Sequence, residues 1–206
     1  MRACANAGRK REEVTLVAVT KIFPAEAICE AYELGLRQFG ENYVQEFEAK
    51  APRVRELDGA RYHLIGHLQS NKSPRAAELF DVIQTVDSAK LARRLTEAGR
   101  ALEVMIEVRL SAEDSKHGCE PEQVPALVEA IRALPSLKLT GLMTMPPWSD
   151  QPETARPYFR RLRTLAEQHG LHELSMGMSN DLEVAIEEGA TMVRVGTALF
   201  GPRRRG

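Results

Sequence analysis

The chain has 206 residues and a formal net charge of -1, with 28 lysines and arginines against 29 aspartates and glutamates. This balance gives no case for a surface that binds nucleic acid or an anionic membrane, and the length suffices for one domain with a full core. The three cysteines are far apart and lack zinc-site spacing, so we expect reduced thiols in a cytoplasmic protein. The sequence shows neither an apolar run near the ~20 residues of a membrane helix nor the apolar core of a signal peptide.

Strands and helices are predicted to alternate along the chain. Residues 1–13 are polar and rich in alanine, which is typical of the end of an N-terminal helix. Apolar runs bounded by proline, glycine and aspartate predict strands over 14–23, 37–40, 62–66, 81–86, 103–110, 137–145, 173–176 and 191–195. Helical patterns between them cover 24–34, 43–57, 71–80, 87–98, 121–134, 153–168 and 179–188, the last capped by Ser179 or Asn180.

Eight such units in about 200 residues predict a closed (β/α)8 TIM barrel, in a single domain over residues 1–206. The main alternative is an open, doubly wound sheet. No glycine-rich dinucleotide fingerprint follows the first strand, which disfavours that alternative.

Two strands carry charged residues on the face that we place inside the barrel. Apolar and polar residues alternate over 103–110, which places Glu107 and Arg109 on the inward face. The same alternation over 191–195 places Arg194 there. One interpretation is an internal ion pair of Glu107 with Arg109 or Arg194, which would satisfy these groups. The other is an anionic ligand or an acceptor nitrogen nearby.

Lys21 follows the first apolar run, at the end of the strand where such barrels do chemistry. A buried ammonium must be paired or lose its proton, and a lysine with a lowered pKa is a nucleophile toward carbonyls. We therefore interpret Lys21 as a Schiff-base lysine; a lysine that only reaches solvent from a strand end is the alternative. Lys50, Lys72 and Lys90 fall on helical patterns, where we expect them to be solvated.

The last two predicted strands are each followed by glycine and hydroxyl residues, in SMGMSND (175–181) and RVGTA (194–198). Barrels often bind phosphate on backbone N–H groups at this place. Helix capping alone would also explain Ser179. Together with Lys21 on the first strand, these loops suggest a ligand with an aldehyde at one end and a phosphate at the other, and pyridoxal phosphate fits that description.

His67 and His117 have no partner at metal-site spacing, so structural or solvent-facing roles are favoured. Trp148, beside two prolines, is predicted to form a rim loop that serves either as a lid or as a hydrophobic plug.

Several segments together resemble the YggS/PROSC family of pyridoxal phosphate homeostasis proteins. The resemblance implies a fold-type III barrel like the N-terminal domain of alanine racemase, with pyridoxal phosphate held as an internal aldimine on Lys21. It also implies phosphate contacts from Ser179, Gly196 and Thr197, Asn42 beside the cofactor, and Arg194 toward the ring or phosphate. Members of the family usually begin with a longer first helix, of which 1–13 is the remnant here. Many members have a serine where this chain has Thr20. The segments are AVTK (18–21), GENY (40–43), HLIGHLQSNK (63–72), GLMTM (141–145), SMGMS (175–179) and RVGTALFG (194–201).

The resemblance also bears on the choice between enzyme and carrier. Racemase relatives need a tyrosine as second acid/base and a C-terminal β domain, whereas this chain ends shortly after strand eight and only Tyr43 lies near a strand's carboxyl end. An arginine at the pyridine nitrogen, here Arg194, would make the ring a poor electron sink. We therefore expect a monomeric carrier that holds pyridoxal phosphate and supplies it to apo-enzymes through transient contact. A single-domain amino-acid racemase is the alternative, and a Schiff-base aldolase a more distant one.

Overall fold

Eight parallel strands close into a barrel in sequence order, and β8 pairs back onto β1. The computed structural model describes residues 2–111 and 117–201. The predicted (β/α)8 barrel is confirmed, and the open sheet is excluded because no edge remains between β8 and β1. The strands are β1 (Thr15–Val19), β2 (Gln38–Glu41), β3 (Arg61–Leu64), β4 (Val82–Val86), β5 (Leu102–Glu107), β6 (Leu137–Met143), β7 (Glu173–Ser175) and β8 (Met192–Val195).

A helix follows each strand, and a further short helix precedes β1. Among the described residues, none of these helices is both long and apolar enough to cross a membrane. The helices are α1 (Arg2–Asn6), α2 (Ala25–Glu33), α3 (Val44–Val54), α4 (Ser73–Leu79), α5 (Ala89–Leu95), α6 (Val124–Arg132), α7 (Arg156–Gln168), α8 (Leu182–Glu187) and α9 (Thr197–Phe200).

The start of the chain packs against the barrel near α8. Cys4 of α1 is buried in the core. The guanidinium of Arg9 donates to the carbonyl oxygens of Ile186 at 3.1 Å and Ala190 at 2.6 Å. These contacts anchor the segment that precedes β1.

β5 alternates between the two faces of the barrel wall as predicted. Val104 and Ile106 belong to the apolar core, and Glu107 is buried on the opposite face. The predicted ion pair of Glu107 with Arg109 is wrong. Arg109 lies beyond the end of β5 and pairs with Glu120, because the backbone there bonds to Cys119, with Arg109 N donating to Cys119 O at 2.9 Å.

The capping prediction for α8 is also wrong. The helix begins at Leu182 after Asp181, and neither Ser179 nor Asn180 caps it. The carboxylate of Asp181 instead accepts a hydrogen bond from Met178 N at 2.6 Å, which folds residues 178–181 into a tight loop before the helix. This leaves the Ser179 hydroxyl directed toward the neighbouring loop after β8, where it accepts from Ala198 N at 3.4 Å.

Candidate functional site at the barrel mouth

A cavity of about 380 Å³ opens at the carboxyl ends of the strands. Its volume is that of a site for a small organic ligand. The loops after β1, β2, β7 and β8 contribute to it, and the closed barrel brings them together although they are far apart in sequence. All six residues selected from the sequence line this cavity: Lys21, Asn42, Ser179, Arg194, Gly196 and Thr197.

A larger groove of about 720 Å³ lies outside the barrel, between α6 and α7. One of the arginines that line it, Arg156, is already paired with Glu153, Glu187 and Glu188. None of the six selected residues borders it. Because parallel barrels carry their chemistry at the carboxyl ends of the strands, the mouth cavity is the better candidate site.

Lys21 stands in a tight turn rather than in the strand, since β1 ends at Val19. Ile22 has φ +70°, the one positive value for a non-glycine among the described residues. A branched residue in the left-handed region costs on the order of 1–3 kcal/mol, so surrounding contacts must impose this conformation. Two of them are hydrogen bonds from Thr20 N to Gly40 O at 2.9 Å and from Ile22 N to the Glu46 carboxylate at 2.5 Å.

Lys50 is the centre of the network that holds this turn. Its ammonium donates to Thr20 O at 3.0 Å, to Glu41 Oε1 at 2.8 Å and to Glu46 Oε1 at 2.6 Å. Lys50 is only 6% exposed, so the expectation that it is solvated is wrong. The buried charge is tolerated because two carboxylates and a carbonyl surround it.

Glu41 is the fully buried member of this network. It also accepts a hydrogen bond from the Thr20 hydroxyl at 2.7 Å. Burial raises the pKa of its carboxyl, and the adjacent ammonium of Lys50 acts in the opposite direction. The charged form of Glu41 therefore depends on Lys50 staying in place.

The spacing of residues along α3 could have predicted that Lys50 is buried. The buried side of α3 includes Phe47 and Val54, three residues before and four after Lys50, so the lysine lies on the apolar face. Glu46, four residues before it, supplies a partner on the same helix.

Arg194 is buried at the floor of the cavity. One nitrogen of its guanidinium donates to the Ser175 hydroxyl at 2.7 Å, and another to Thr144 O at 2.9 Å. Burial lowers its pKa to about 10, so the group keeps its proton at neutral pH. The guanidinium is thus a fixed cation at the bottom of the site.

Glu107 lies on the same inner surface but does not share those hydrogen bonds. Burial raises the pKa of its carboxyl to about 7, and the charge of Arg194 only partly offsets this. One carboxylate oxygen, Oε2, has no hydrogen-bond partner within the described part of the chain. Arg194 and Glu107 therefore interact through their charges at longer range.

Asn42 owes its position to the absence of a side chain at Gly66. A Cβ on Gly66 would lie 2.3 Å from Asn42 O, well inside contact distance. The two loops after β2 and β3 approach this closely only with glycine at position 66.

Gly177 has a similar role beside Ser179. Its φ is +92°, and a Cβ there would lie 2.5 Å from the Cβ of Ala185. The glycine lets the chain after β7 turn sharply over α8 and brings Ser179 next to the loop of Gly196 and Thr197. Hydroxyls and backbone N–H groups are thereby gathered at one side of the cavity.

Trp148 forms part of the rim, and its side chain is not buried as a plug would be. It is 80% exposed and lines the mouth of the cavity. The amide of Asn180 donates to Ser149 O at 2.8 Å and ties the Trp148 loop to the loop after β7.

The rings of His67 and His117 stack with centroids 3.6 Å apart. His67 Nδ1 is 4.0 Å from the Asp87 carboxylate. No group of three metal-ligating side chains occurs among residues 2–111 and 117–201.

Comparison with known proteins places this geometry in a family. The alanine racemase N-terminal domain family matches residues 3–204. The pyridoxal phosphate homeostasis protein of Pseudomonas aeruginosa is 48% identical over 206 residues, which cover 97% of this chain and 89% of that protein. The protein of the same name from Escherichia coli strain K12 is 45% identical over 214 residues, covering 98% of this chain and 91% of its own length.

Solved structures agree with this result. The structure of PipY from Synechococcus elongatus with pyridoxal phosphate bound is 40% identical, has a TM-score of 0.85, and covers 97% of this chain and 98% of that one. Alanine racemase of Clostridium difficile is 14% identical with a TM-score of 0.75, covering 99% of this chain and 56% of the racemase, and it shows the shared fold alone. From the near full-length matches, this chain belongs to the family of pyridoxal phosphate homeostasis proteins.

Proposed function

We propose that this protein binds pyridoxal phosphate in the mouth cavity and acts in its homeostasis, as a carrier that supplies the cofactor to apo-enzymes. The observation that carries the proposal is the convergence of a lysine, a buried arginine and two hydroxyl-bearing loops on one cavity. The PipY structure with pyridoxal phosphate bound, at 40% identity, supports the same assignment.

The residues present fit the chemistry of this group. Pyridoxal phosphate supplies an aldehyde that condenses reversibly with an amine, a pyridine ring and a dianionic phosphate. Lys21 would hold the aldehyde carbon in a Schiff base. Ser179, Gly196 and Thr197 would bind the phosphate through hydroxyl and backbone donors, and Asn42 would lie beside the ring.

Arg194 would determine how the ring behaves. Its guanidinium keeps its proton at neutral pH, so it acts only as a donor. A donor aimed at the pyridine nitrogen keeps that nitrogen unprotonated and weakens the ring as an electron sink. This favours holding the cofactor over catalysis with it.

The racemase alternative lacks support in the cavity. Such an enzyme needs a second acid/base, which the resemblance assigns to a tyrosine. Among the described residues, no tyrosine lines the cavity, and Tyr43, next to Asn42, is 56% exposed. The similar curated proteins are named as homeostasis proteins and not as enzymes.

We also propose that the protein works in the cytoplasm as a monomer and meets apo-enzymes only transiently. Its three cysteines are free thiols, which suits a reducing compartment.

The test begins with the visible spectrum of the protein mixed with pyridoxal phosphate, followed by borohydride reduction and peptide mapping. We expect a cofactor band and a reduced adduct on Lys21, both lost in Lys21→Ala. Lys90→Ala, a change at an exposed lysine, is the matched control and should keep both. An adduct spread over surface lysines would contradict the site.

The carrier role needs a second measurement. The loaded protein is mixed with an apo-enzyme that requires pyridoxal phosphate, and recovery of that enzyme's activity is followed. Transfer from the wild type without turnover of alanine enantiomers supports the carrier. Racemisation at rates typical of an enzyme would favour the alternative.

A further inference from the structure

A chain of hydrogen bonds crosses the barrel interior from the candidate site to the opposite end. Arg194 donates to the Ser175 hydroxyl at 2.7 Å, and Ser175 donates to Gln84 Oε1 at 2.6 Å. Gln84 Nε2 lies 2.9 Å from His63 Nδ1, and His63 Nε2 lies 2.8 Å from Gln38 Oε1. The five side chains come from β8, β7, β4, β3 and β2.

Along this series of hydrogen bonds, each donor points away from Arg194 and toward Gln38. The guanidinium can only donate, so the Ser175 hydroxyl must turn its own hydrogen toward Gln84 Oε1. The amide nitrogen of Gln84 then faces His63 Nδ1 as a donor. Gln38 Oε1 can only accept, so His63 carries its hydrogen on Nε2. The arrangement is consistent with a neutral imidazole, and burial lowers the pKa of His63 to about 3.

Gln84 is the residue on which both halves of the chain depend. Its amide oxygen accepts from Ser175, and its nitrogen donates to His63 and to Met192 Sδ, the latter at 3.0 Å. Both hydrogens of the amide are therefore used, and its side chain is fully buried. A residue without this pattern of one acceptor and two donors would leave buried partners unsatisfied.

We propose that Gln84 is a positioning residue of the cofactor site, which fixes the guanidinium of Arg194 through Ser175. The inference rests on the proposed binding of pyridoxal phosphate beside Arg194. With its hydrogen directed to Gln84, the Ser175 hydroxyl is held with an oxygen lone pair facing Arg194. Because the next links, His63 and Gln38, hold the Gln84 amide in one orientation, one of the two hydrogen bonds that place Arg194 is set from the far side of the barrel.

The consequence for the cofactor is electronic as well as steric. A guanidinium held in one place presents a constant donor to the ring. The ring nitrogen then has the same protonation state in every molecule. A guanidinium freed from Ser175 keeps its hydrogen bond to Thr144 O alone, so it has more arrangements and the ring nitrogen meets a weaker donor. Loss of one charge-assisted hydrogen bond of about 1.4 kcal/mol corresponds to about tenfold weaker binding.

The test compares Gln84→Met with Tyr62→Phe in the full chain. Tyr62 lies on the neighbouring strand β3, is buried, and donates its hydroxyl to Val54 O, so its loss also removes a buried hydrogen bond without touching the cavity. Dissociation constants for pyridoxal phosphate and the pH midpoint of its absorbance band are measured for both. We expect Gln84→Met to bind about tenfold more weakly and to shift the midpoint, and Tyr62→Phe to do neither.

Gln84→Glu is the second variant. It keeps the shape and the acceptor for Ser175 but presents an oxygen to His63 Nδ1. Nitrogen-15 NMR of the wild type without cofactor should show His63 protonated on Nε2 alone, and Gln84→Glu should add a proton at Nδ1. The two readouts keep the inference testable even if Gln84→Met fails to fold.

The outcomes separate two failures. If the wild type shows no cofactor band on Lys21, the proposed function fails and this inference falls with it. If the wild type binds normally but Gln84→Met matches Tyr62→Phe in affinity and midpoint, Gln84 is only structural. A His63 protonated on Nδ1 in the wild type would also overturn the inference, because the donor order would then be reversed.

Discussion

In the protein without cofactor, Glu107→Gln should gain stability relative to the wild type as the pH rises from acid to neutral. The Glu107 carboxyl is 3% exposed, and one of its oxygens has no partner within the described residues. Burial raises its pKa to about 7, the charge of Asp87 adds to this, and the charge of Arg194 opposes it. The folded protein therefore keeps the proton on Glu107 at pH values where the unfolded chain has released it.

The size of the effect follows from proton linkage. The carboxyl has a pKa of about 7 in the folded protein, against an ordinary value of 4.5 for a glutamate. Since each pKa unit is worth about 1.4 kcal/mol, the wild type should lose about 3 kcal/mol of unfolding free energy as the pH rises from 4.5 to 7. Above pH 7 the loss is complete, and below pH 4.5 it is absent. The amide introduced by Glu107→Gln does not titrate, so the variant escapes this loss.

The assay is urea unfolding at pH values from 5 to 8, with wild type and variant measured in the same buffers. Glu103→Gln is the matched control on the same strand. Burial acts to raise the pKa of Glu103, but its hydrogen bonds and charge interactions with Arg61 and Lys138 together outweigh this and lower it. Glu103 is therefore ionised in the folded and the unfolded protein across this pH range, and the stability difference between wild type and Glu103→Gln should stay nearly constant.

A difference between wild type and Glu107→Gln that stays constant from pH 5 to 8 would refute the reasoning. It would mean that Glu107 is already ionised at pH 5 and is stabilised by a partner. A difference of the opposite sign would mean that the charged form is the one that folding favours.

Three further predictions concern other parts of the molecule. Lys50→Met should lower the unfolding free energy by about 3–5 kcal/mol, because Glu41 stays buried without its cation; a urea-unfolding loss below about 1 kcal/mol would contradict the network. Gly66→Ala should cost about 1–3 kcal/mol and weaken cofactor binding, since the added Cβ displaces Asn42; calorimetry and a binding titration would show this, and unchanged affinity would count against it. Cys119, whose thiol pKa burial raises to about 12, should resist iodoacetamide at pH 8 in the folded protein and react only on unfolding; mass spectrometry would detect early labelling if this is wrong.

Much of the fold and the site could be predicted from local patterns. Period-two apolar runs locate β1 and β5, because a strand in a barrel wall exposes its two faces to different surroundings. Strand ends in a parallel barrel meet at one rim, which predicts that Lys21 and the loops after β7 and β8 lie together. The role of Asn42 and the phosphate contacts came from the family resemblance. The strand bounds differ by a few residues: β1 ends at Val19, which leaves Lys21 in a turn.

The remaining features depend on contacts that no local pattern contains. Lys50 reaches Thr20, thirty residues away, only because the turn after β1 folds back over α3. Gln84 and Ser175 belong to β4 and β7, which are not neighbours in the barrel, so their hydrogen bond exists only once the barrel has closed. The direction of the Ser179 hydroxyl likewise follows from the loop that Asp181 folds, and not from helix-capping preference.

The protein has a single tryptophan, and it stands at the rim of the cavity. Its indole is mostly in water, so its fluorescence in the empty protein should be that of a solvated ring. A bound chromophore that absorbs in the near ultraviolet would lie close enough to Trp148 to take up its excitation energy. Emission from this one residue would then report the loaded fraction continuously, and the rate at which the signal returns on adding an apo-enzyme would give the speed of delivery.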